Sequence, residues 1–178
     1  VTERAMRGEL DFKAALEERV ALLAGLDESV FDRTFARVTF TPGAQELVAE
    51  AHERGWKVGV VSGGFHEVAD RIVEAVDIDY CLANRLEVAD GKLTGRLAAE
   101  IVTKDRKLAS LRAWAKELGI PMERTVAIGD GANDIPMILA AGVGIGFCAK
   151  PKVRAAAPHH IDERNLMLAY PIIDAAEA

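Results

Sequence analysis

The chain has 178 residues, of which 50% are hydrophobic and 28% are charged, and this is the composition of one globular domain, with or without a small subdomain. It excludes the disordered, collagen-like and disulfide-rich classes of protein. The formal net charge of -6, from 22 basic and 28 acidic residues, has the wrong sign for a domain that binds nucleic acid through its phosphates.

The N-terminal segment, residues 1 to about 37, has helical spacing and no strand-like alternation. Asp11 is placed to open a helix, and four apolar residues share one face of that helix: Phe12, Leu16, Val20 and Leu23. We therefore predict a helical unit, part of a cap, over residues 1–38, and a separate core over residues 39–178.

After Thr41, short apolar runs alternate with helical segments. The predicted strands are 57–61, 125–128, 143–147 and a weaker one at 158–161, and the predicted helices include 44–54, 66–76, 134–141 and a last one that ends near 177. This alternation predicts an α/β fold, a three-layer, Rossmann-like parallel sheet with helices on both faces. Residues 80–97 alternate around Asp90-Gly91, a dipeptide typical of tight turns, so we predict a β-hairpin excursion there.

The two cysteines, Cys81 and Cys148, lie in apolar stretches and lack the C-x-x-C spacing of metal sites. We therefore expect neither a disulfide framework nor a zinc site, and a reducing cytoplasm is the expected location. The longest apolar runs are far shorter than the roughly 20 residues that cross a bilayer, so we expect no membrane partner.

Two polar, glycine-containing stretches follow predicted strands, which is where ligands bind in open parallel sheets. The first is Ser62-Gly63-Gly64, between the strand at 57–61 and the helix at 66–76. Exposed amides near a helix N-terminus bind anions, and the Ser62 hydroxyl can donate to the same ligand oxygen. An ordinary strand-to-helix turn explains these three residues equally well.

The second stretch is Gly129-Asp130-Gly131-Ala132-Asn133-Asp134, after the strand at 125–128. Two carboxylates at one sheet edge require a cation or a lysine beside them, so we predict a metal site. The spacing fits neither an EF-hand loop nor a dinucleotide-binding fingerprint. Asn133 or Asp134 can cap the helix that follows, but capping does not explain Asp130.

Lys107 lies in the first turn of the helix before this strand. A lysine there is usually solvated, and it gains weight only in combination with the two stretches. Ser62, Lys107 and Asp130 together supply a hydroxyl donor, a positive charge and a metal-binding carboxylate, the groups that stabilise a transferring phosphoryl group.

Residues 60–65, Lys107 and residues 126–134 resemble the second, third and fourth motifs of the haloacid dehalogenase-like phosphatases. Residues 83–86, 90–95 and 147–151 resemble the members of that family that act on phosphoserine. The resemblance covers essentially the whole chain. It implies hydrolysis of O-phosphoserine to serine and phosphate through an aspartyl-phosphate, the last step of serine biosynthesis, with Mg²⁺ as cofactor.

The resemblance also implies roles for individual core residues. Ser62 and Lys107 hold the phosphate, the Gly63 amide contacts the substrate, and Asn133 lies at the substrate. Asp130 is a magnesium ligand, and Asp134 orients Lys107 or the metal shell. In this assignment the catalytic residues are Lys107, Ser62 and Asp134.

In the helical unit, Leu10-Asp11-Phe12 and Glu18-Arg19-Val20 resemble family segments that contact the substrate. The resemblance implies that Phe12 packs against the ligand and that Arg19 binds its carboxylate. From the residues alone, Arg19 lies on the same helical face as Phe12 and Leu16, where a guanidinium needs a partner. A locally paired arginine is the alternative.

The family's first motif, a strand that ends in Asp-x-Asp, has no counterpart before the helical unit. Its first aspartate is the nucleophile and its second is the general acid and base. We therefore expect these aspartates upstream of Val1, and expect the chain without them to bind phosphate but not to turn over. Asp77-Ile78-Asp79 matches the Asp-x-Asp pattern but has no strand directly before it, so we predict a loop there.

Three other functions are compatible with parts of the pattern. A phosphatase for another small phosphomonoester would not need Arg19 to bind a carboxylate. A signalling receiver domain uses similar groups, but in another order and without the helical unit. A non-catalytic phosphate-binding fragment is the third. The sequence leaves both a monomer and a homodimer open.

Overall fold

The computed structural model describes residues 12–177, and these residues form two compact units. The first unit contains residues 12–38, 62–75 and 83–101, and the second contains residues 39–61, 76–82 and 102–177. The predicted helix opening at Leu10-Asp11 lies outside the described residues. The predicted division into a cap over 1–38 and a core over 39–178 stays a prediction.

The helices and strands follow one another in an order typical of α/β proteins. In chain order they are α1 (Phe12–Ala21), α2 (Val30–Phe35), α3 (Ala44–Glu53), β1 (Gly59–Phe65), α4 (His66–Val76), β2 (Tyr80–Asn84), β3 (Leu86–Ala89), β4 (Lys92–Leu97), α5 (Lys104–Glu117), β5 (Val126–Gly129), α6 (Ile135–Ala140), β6 (Val143–Phe147), α7 (Pro151–Ala156), β7 (His159–Ile161) and α8 (Ala169–Glu177). Short 3₁₀ turns occupy Met122–Arg124, Ala132–Asp134 and Leu166–Leu168. Among residues 12–177, no helix is both long and apolar enough to cross a membrane.

The described strands form three sheets, β1–β2, β3–β4 and β5–β6–β7. The last is parallel throughout, with Val126 opposite Val143 and Ile145 opposite His159. Parallel strands and intervening helices confirm the α/β class. The single three-layer sheet expected from the sequence stays a prediction, because β1–β2 and β5–β6–β7 are separate sheets in the part of the chain that is described.

The strand predicted at 57–61 is wrong at both ends, because β1 begins at Gly59 and continues to Phe65. The Ser62-Gly63-Gly64 stretch is therefore extended backbone inside a strand, and α4 begins only at His66. Glycine lacks the side chain that favours a helix. Gly63 and Gly64 therefore do not favour an early start of the helix, and the strand continues through both residues to Phe65.

The β-hairpin predicted around Asp90-Gly91 is confirmed by the antiparallel pair β3 and β4. Asp90 and Gly91 have positive φ values of 51° and 72°, as a two-residue turn of this kind requires. The hairpin is shorter than the predicted stretch 80–97, because β2 pairs with β1 and is not part of the hairpin.

The first unit has its own apolar core, in which α1 packs on the hairpin. Val20, Leu86 and Leu93 are buried there, and Leu16 and Leu23 pack against them. Phe12 does not join the core, since it is 51% exposed at the first position of α1. Leu16, Val20 and Leu23 of the predicted apolar face therefore contribute to this core, whereas Phe12 on the same face is exposed.

The second unit is built around β6 and α8. Its buried core consists of Val143, Ile145, Ile161, Ala169, Tyr170 and Ile173. The Tyr170 hydroxyl donates a hydrogen bond of 2.6 Å to the Leu47 carbonyl, which ties α8 to α3. This packing fixes β5 and β6 side by side, so that the loop after β5 starts from a rigid strand end.

Asp79 lies in the loop before β2, as predicted, and its carboxylate holds three neighbours of the second unit. It accepts hydrogen bonds from Lys57 Nζ at 2.7 Å and from the Val58 amide at 2.9 Å, and it lies 2.8 Å from His52 Nε2. Burial raises the pKa of the Asp79 carboxyl, but the bonds from Lys57, Val58 and His52 outweigh burial and lower that pKa to about 2.

We expect Asp79→Asn to lower the free energy of unfolding at neutral pH by about 2 kcal/mol. The folded pKa of about 2 lies below the ordinary value of 3.8, so the contribution of Asp79 is complete above the ordinary value and is lost as pH falls toward the folded value. Urea unfolding of the variant and the unchanged protein at stepped pH measures this difference. Asp77→Asn, in the same loop, is the control, and a difference that does not shrink in acid contradicts the prediction.

Candidate active site

The loop after β5 folds back on itself around the Asp134 carboxylate. Asp134 Oδ2 accepts hydrogen bonds from the amides of Asp130 at 3.1 Å and Gly131 at 3.0 Å. The 3₁₀ turn Ala132–Asp134 brings the side chain back over the strand end. The carboxylate thus fixes the backbone from which the Asp130 side chain projects.

Two glycines make this fold-back possible. A Cβ atom at Gly129 would lie 2.5 Å from Asp134 Cβ, and one at Gly131 would lie 2.6 Å from Asn133 Oδ1. Both distances are below van der Waals contact, so a side chain at either position would push Asp134 or Asn133 away. This steric requirement explains why the loop needs glycine before and after Asp130.

The other oxygen of Asp134 binds Lys107. The distance between Lys107 Nζ and Asp134 Oδ1 is 2.7 Å, and the two side chains are only 7% and 8% exposed. Lys107 lies in the first turn of α5, whose N-terminus is capped by the Thr103 hydroxyl accepting from the Arg106 amide. The predicted pairing of Asp134 with Lys107 is present, and Asp134 serves the loop amides and Lys107 instead of capping α6.

A buried ion pair of this kind costs desolvation energy, which its mutual attraction only partly returns. Removing one partner would leave an uncompensated buried charge and destabilise the fold by about 3 to 5 kcal/mol. The pair therefore places a fixed ammonium group at the carboxyl end of β5, beside the loop that carries Asp130.

Asp130 is the carboxylate of this loop that remains available. Its amide bonds to Asp134 and its carbonyl accepts from the Lys150 amide at 3.2 Å, while its side chain is exposed. Within residues 12–177, no hydrogen-bond or ion-pair partner is recorded for its carboxylate. Magnesium is commonly bound by one or two carboxylates together with water and phosphate oxygens, so the donor that Asp130 offers fits that ion.

In the first unit, the Ser62-Gly63-Gly64 stretch carries a hydroxyl and unobstructed backbone. The Gly64 amide donates to Ser62 Oγ at 2.9 Å. A Cβ atom at Gly63 would meet nothing within 4 Å, so the backbone is accessible there. These residues lie in β1 and not in the predicted turn, and the Gly64 amide donates to Ser62, while the anion site itself stays a prediction.

The two residues predicted for substrate binding on α1 are both at the surface of the first unit. Phe12 and Arg19 have exposed side chains, seven positions apart on the same helix. Since residues seven apart lie on one helical face, the structure places them on a common face of α1.

Asn84 is a buried polar residue that the sequence analysis quoted in a motif but gave no role. It is 1% exposed at the end of β2, and its Nδ2 donates to the Gly63 carbonyl at 2.9 Å. An asparagine that follows the apolar run Cys81-Leu82-Ala83 is the signal that could have identified it, since buried amides require partners.

Comparison with protein families matches most of the chain to one family model. The model of the haloacid dehalogenase-like hydrolases matches residues 3–139. A phosphoserine phosphatase of Streptococcus thermophilus is 58% identical over 174 residues, which are 98% of this chain and 81% of that relative.

Solved structures agree with the sequence matches. A substrate-bound phosphoserine phosphatase complex superimposes with a TM-score of 0.88 at 43% identity, over 96% of this chain and 81% of that one. A phospho-aspartyl intermediate analogue of phosphoserine phosphatase gives the same TM-score of 0.88 and the same identity of 43%, over 96% of this chain and 82% of that one.

Proposed function

Because the chain belongs to the haloacid dehalogenase-like hydrolases, and within them to the phosphoserine phosphatases, we propose that it hydrolyses O-phosphoserine to serine and phosphate. The reaction passes through an aspartyl-phosphate, whose formation and hydrolysis both move negative charge onto phosphoryl oxygens. The observation that carries the proposal is the buried Lys107–Asp134 pair beside the exposed Asp130 carboxylate.

Lys107 is the group that neutralises this charge. Its ammonium is held by Asp134 Oδ1 at 2.7 Å, so it does not have to reorganise during the reaction. Fixed charge in a poorly hydrated site is the most effective form of electrostatic stabilisation. Asp134 acts through Lys107 and through the loop amides, and Asn133 in the same loop is assigned to the substrate.

Asp130 is proposed as the ligand for Mg²⁺. When bound there, the ion supplies positive charge to the phosphoryl oxygens. Asp134 contributes by fixing the Asp130 amide at 3.1 Å, which sets the direction in which the Asp130 side chain leaves the strand.

Ser62 and Gly63 are proposed to bind the phosphoryl group. The Ser62 oxygen accepts from the Gly64 amide, so its own hydrogen is directed to another acceptor. On α1, Arg19 is proposed to bind the substrate carboxylate and Phe12 to pack against the substrate.

Asp79 does not serve as the nucleophile, because its carboxylate is bound by Lys57 and the Val58 amide. The aspartate nucleophile and the cytoplasmic location stay predictions. Neither Cys81 nor Cys148 forms a disulfide bond in the described part of the chain.

The test of the proposed function is phosphate release from O-phosphoserine by the full-length protein. We expect release to require Mg²⁺, to stop when a chelator is added, and to be abolished by Asp130→Asn. Asp105→Asn, an exposed carboxylate in the first turn of α5, is the matched control and should leave release unchanged. Metal-stimulated release by Asp130→Asn would remove Asp130 from the site.

We expect Lys107→Ala to lower kcat by about a thousandfold, because the fixed charge on the phosphoryl oxygens is lost. Lys104→Ala changes an exposed lysine in the same helix turn and should have no effect on kcat. Both variants are assayed below their unfolding temperatures, since the lone Asp134 charge destabilises the first. A kcat within tenfold of the original would contradict the assignment.

We expect Arg19→Ala to raise KM for O-phosphoserine by about tenfold or more, because a charge-assisted hydrogen bond to the substrate carboxylate is lost. Phosphoethanolamine lacks this carboxylate, so its KM should not change. Arg33→Ala, an exposed arginine on α2, is the control. Equal activity of the unchanged protein on the two substrates would favour another small phosphomonoester as the natural substrate.

A further inference from the structure

The segment Ala83-Asn84-Arg85-Leu86 is attached to the phosphate-binding part of β1 by a series of hydrogen bonds within the first unit. The Asn84 amide nitrogen donates to the Gly63 carbonyl at 2.9 Å. The Ala83 amide donates to His66 Nε2 at 3.1 Å, and the Leu86 amide donates to Glu67 Oε1 at 3.2 Å. The segment thus contacts the chain on both sides of Gly64 and Phe65.

The peptide unit between Gly63 and Gly64 is held at both of its polar ends. Its carbonyl oxygen accepts from Asn84 Nδ2, and its N–H donates to Ser62 Oγ at 2.9 Å. A peptide plane fixed in this way cannot rotate without breaking one of the two bonds. Asn84 is only 1% exposed, so its amide cannot exchange the Gly63 carbonyl for water without a cost.

The orientation of this peptide decides where the Ser62 proton points. A hydroxyl offers one donor and two acceptor sites, and the Gly64 N–H occupies an acceptor site of Ser62 Oγ. The hydroxyl hydrogen is then directed away from Gly64. Hydrogen bonds in series also polarise one another, so the bond from Asn84 strengthens the donor that faces Ser62.

We propose that Asn84 is a positioning residue for the phosphatase reaction, which acts through the Gly63–Gly64 peptide to aim the Ser62 hydroxyl at a phosphoryl oxygen. This rests on the proposed role of Ser62. The chain next to Asn84 is held through His66, whose Nδ1 lies 2.6 Å from Asp70 Oδ1. The Ala83 amide donates to His66 Nε2 at 3.1 Å, so His66 links the residue before Asn84 to Asp70.

A double-mutant cycle tests the proposal on the full-length protein. We compare Asn84→Ala in the presence of Ser62 and in the Ser62→Ala background, and measure kcat/KM for O-phosphoserine. With Ser62 present, the loss of one buried hydrogen bond is expected to lower kcat/KM about tenfold. In the Ser62→Ala background the same change should have an effect below about twofold, because the hydroxyl that it positions is gone.

Gly64→Ala reaches the same serine without touching Asn84. A Cβ atom at Gly64 would lie 3.1 Å from Ser62 Oγ, which is too close and shifts the hydroxyl. We expect it to lower kcat/KM with Ser62 present and to have little effect in the Ser62→Ala background. If Asn84→Ala does not fold, this variant still tests whether the Gly63–Gly64 peptide acts on kcat/KM through the Ser62 hydroxyl.

Tyr170→Phe is the matched control for a buried donor to a backbone carbonyl. It removes the hydroxyl that donates to the Leu47 carbonyl in the second unit, so it should lower the thermal unfolding temperature and leave kcat/KM unchanged. Effects of Asn84→Ala that are equal in both backgrounds, or absent, would overturn the proposal. Unchanged activity of Ser62→Ala would instead overturn the proposed role of Ser62, and the positioning role of Asn84 with it.

Discussion

The buried ion pair between Lys107 and Asp134 is the constraint that organises the loop after β5. Two charges with side-chain exposures of 7% and 8% are stable only if every polar atom around them is satisfied. Asp134 meets this condition by giving one oxygen to Lys107 and the other to the amides of Asp130 and Gly131. Glycine at positions 129 and 131 follows from the same arrangement, because any side chain there would collide with the returning Asp134 or Asn133. One electrostatic requirement therefore accounts for Gly129, Gly131 and Asp134, three of the six residues of the loop.

In the first unit, the Gly63–Gly64 peptide is positioned by neutral hydrogen bonds and not by an ion pair. The Gly63–Gly64 peptide is held by Asn84 on one side and by Ser62 on the other, and glycine leaves the backbone uncovered. A neutral network has a small desolvation cost compared with a buried ion pair. It fixes this peptide without adding a charge of its own.

Elements with strong periodicity could be predicted from the sequence, whereas features that depend on long-range contacts could not. The helix 66–76, the strand 143–147 and the turn at Asp90-Gly91 all follow from local spacing and turn chemistry, and the structure has them. The predicted end of β1 was wrong, since the strand continues to Phe65, and the Gly63 carbonyl accepts there from Asn84, 21 positions later. Phe12 fits the apolar face by spacing, yet it is exposed, because helical spacing fixes the face of a residue but not what packs against it.

Asp79 and Asp134 show that two aspartates, each paired with a lysine, can have different roles. Each carboxylate accepts from a lysine at 2.7 Å and from backbone amides. The lysines differ, because Lys57 is 51% exposed and Lys107 is 7% exposed. Water screens the charge of Lys57, so that pair serves to hold a loop against the start of a strand. Lys107 is shielded from water, and its partner Asp134 also accepts a hydrogen bond from the amide of Asp130. Burial of the cation, more than the presence of an acidic pair, therefore separates the candidate site from an ordinary structural ion pair.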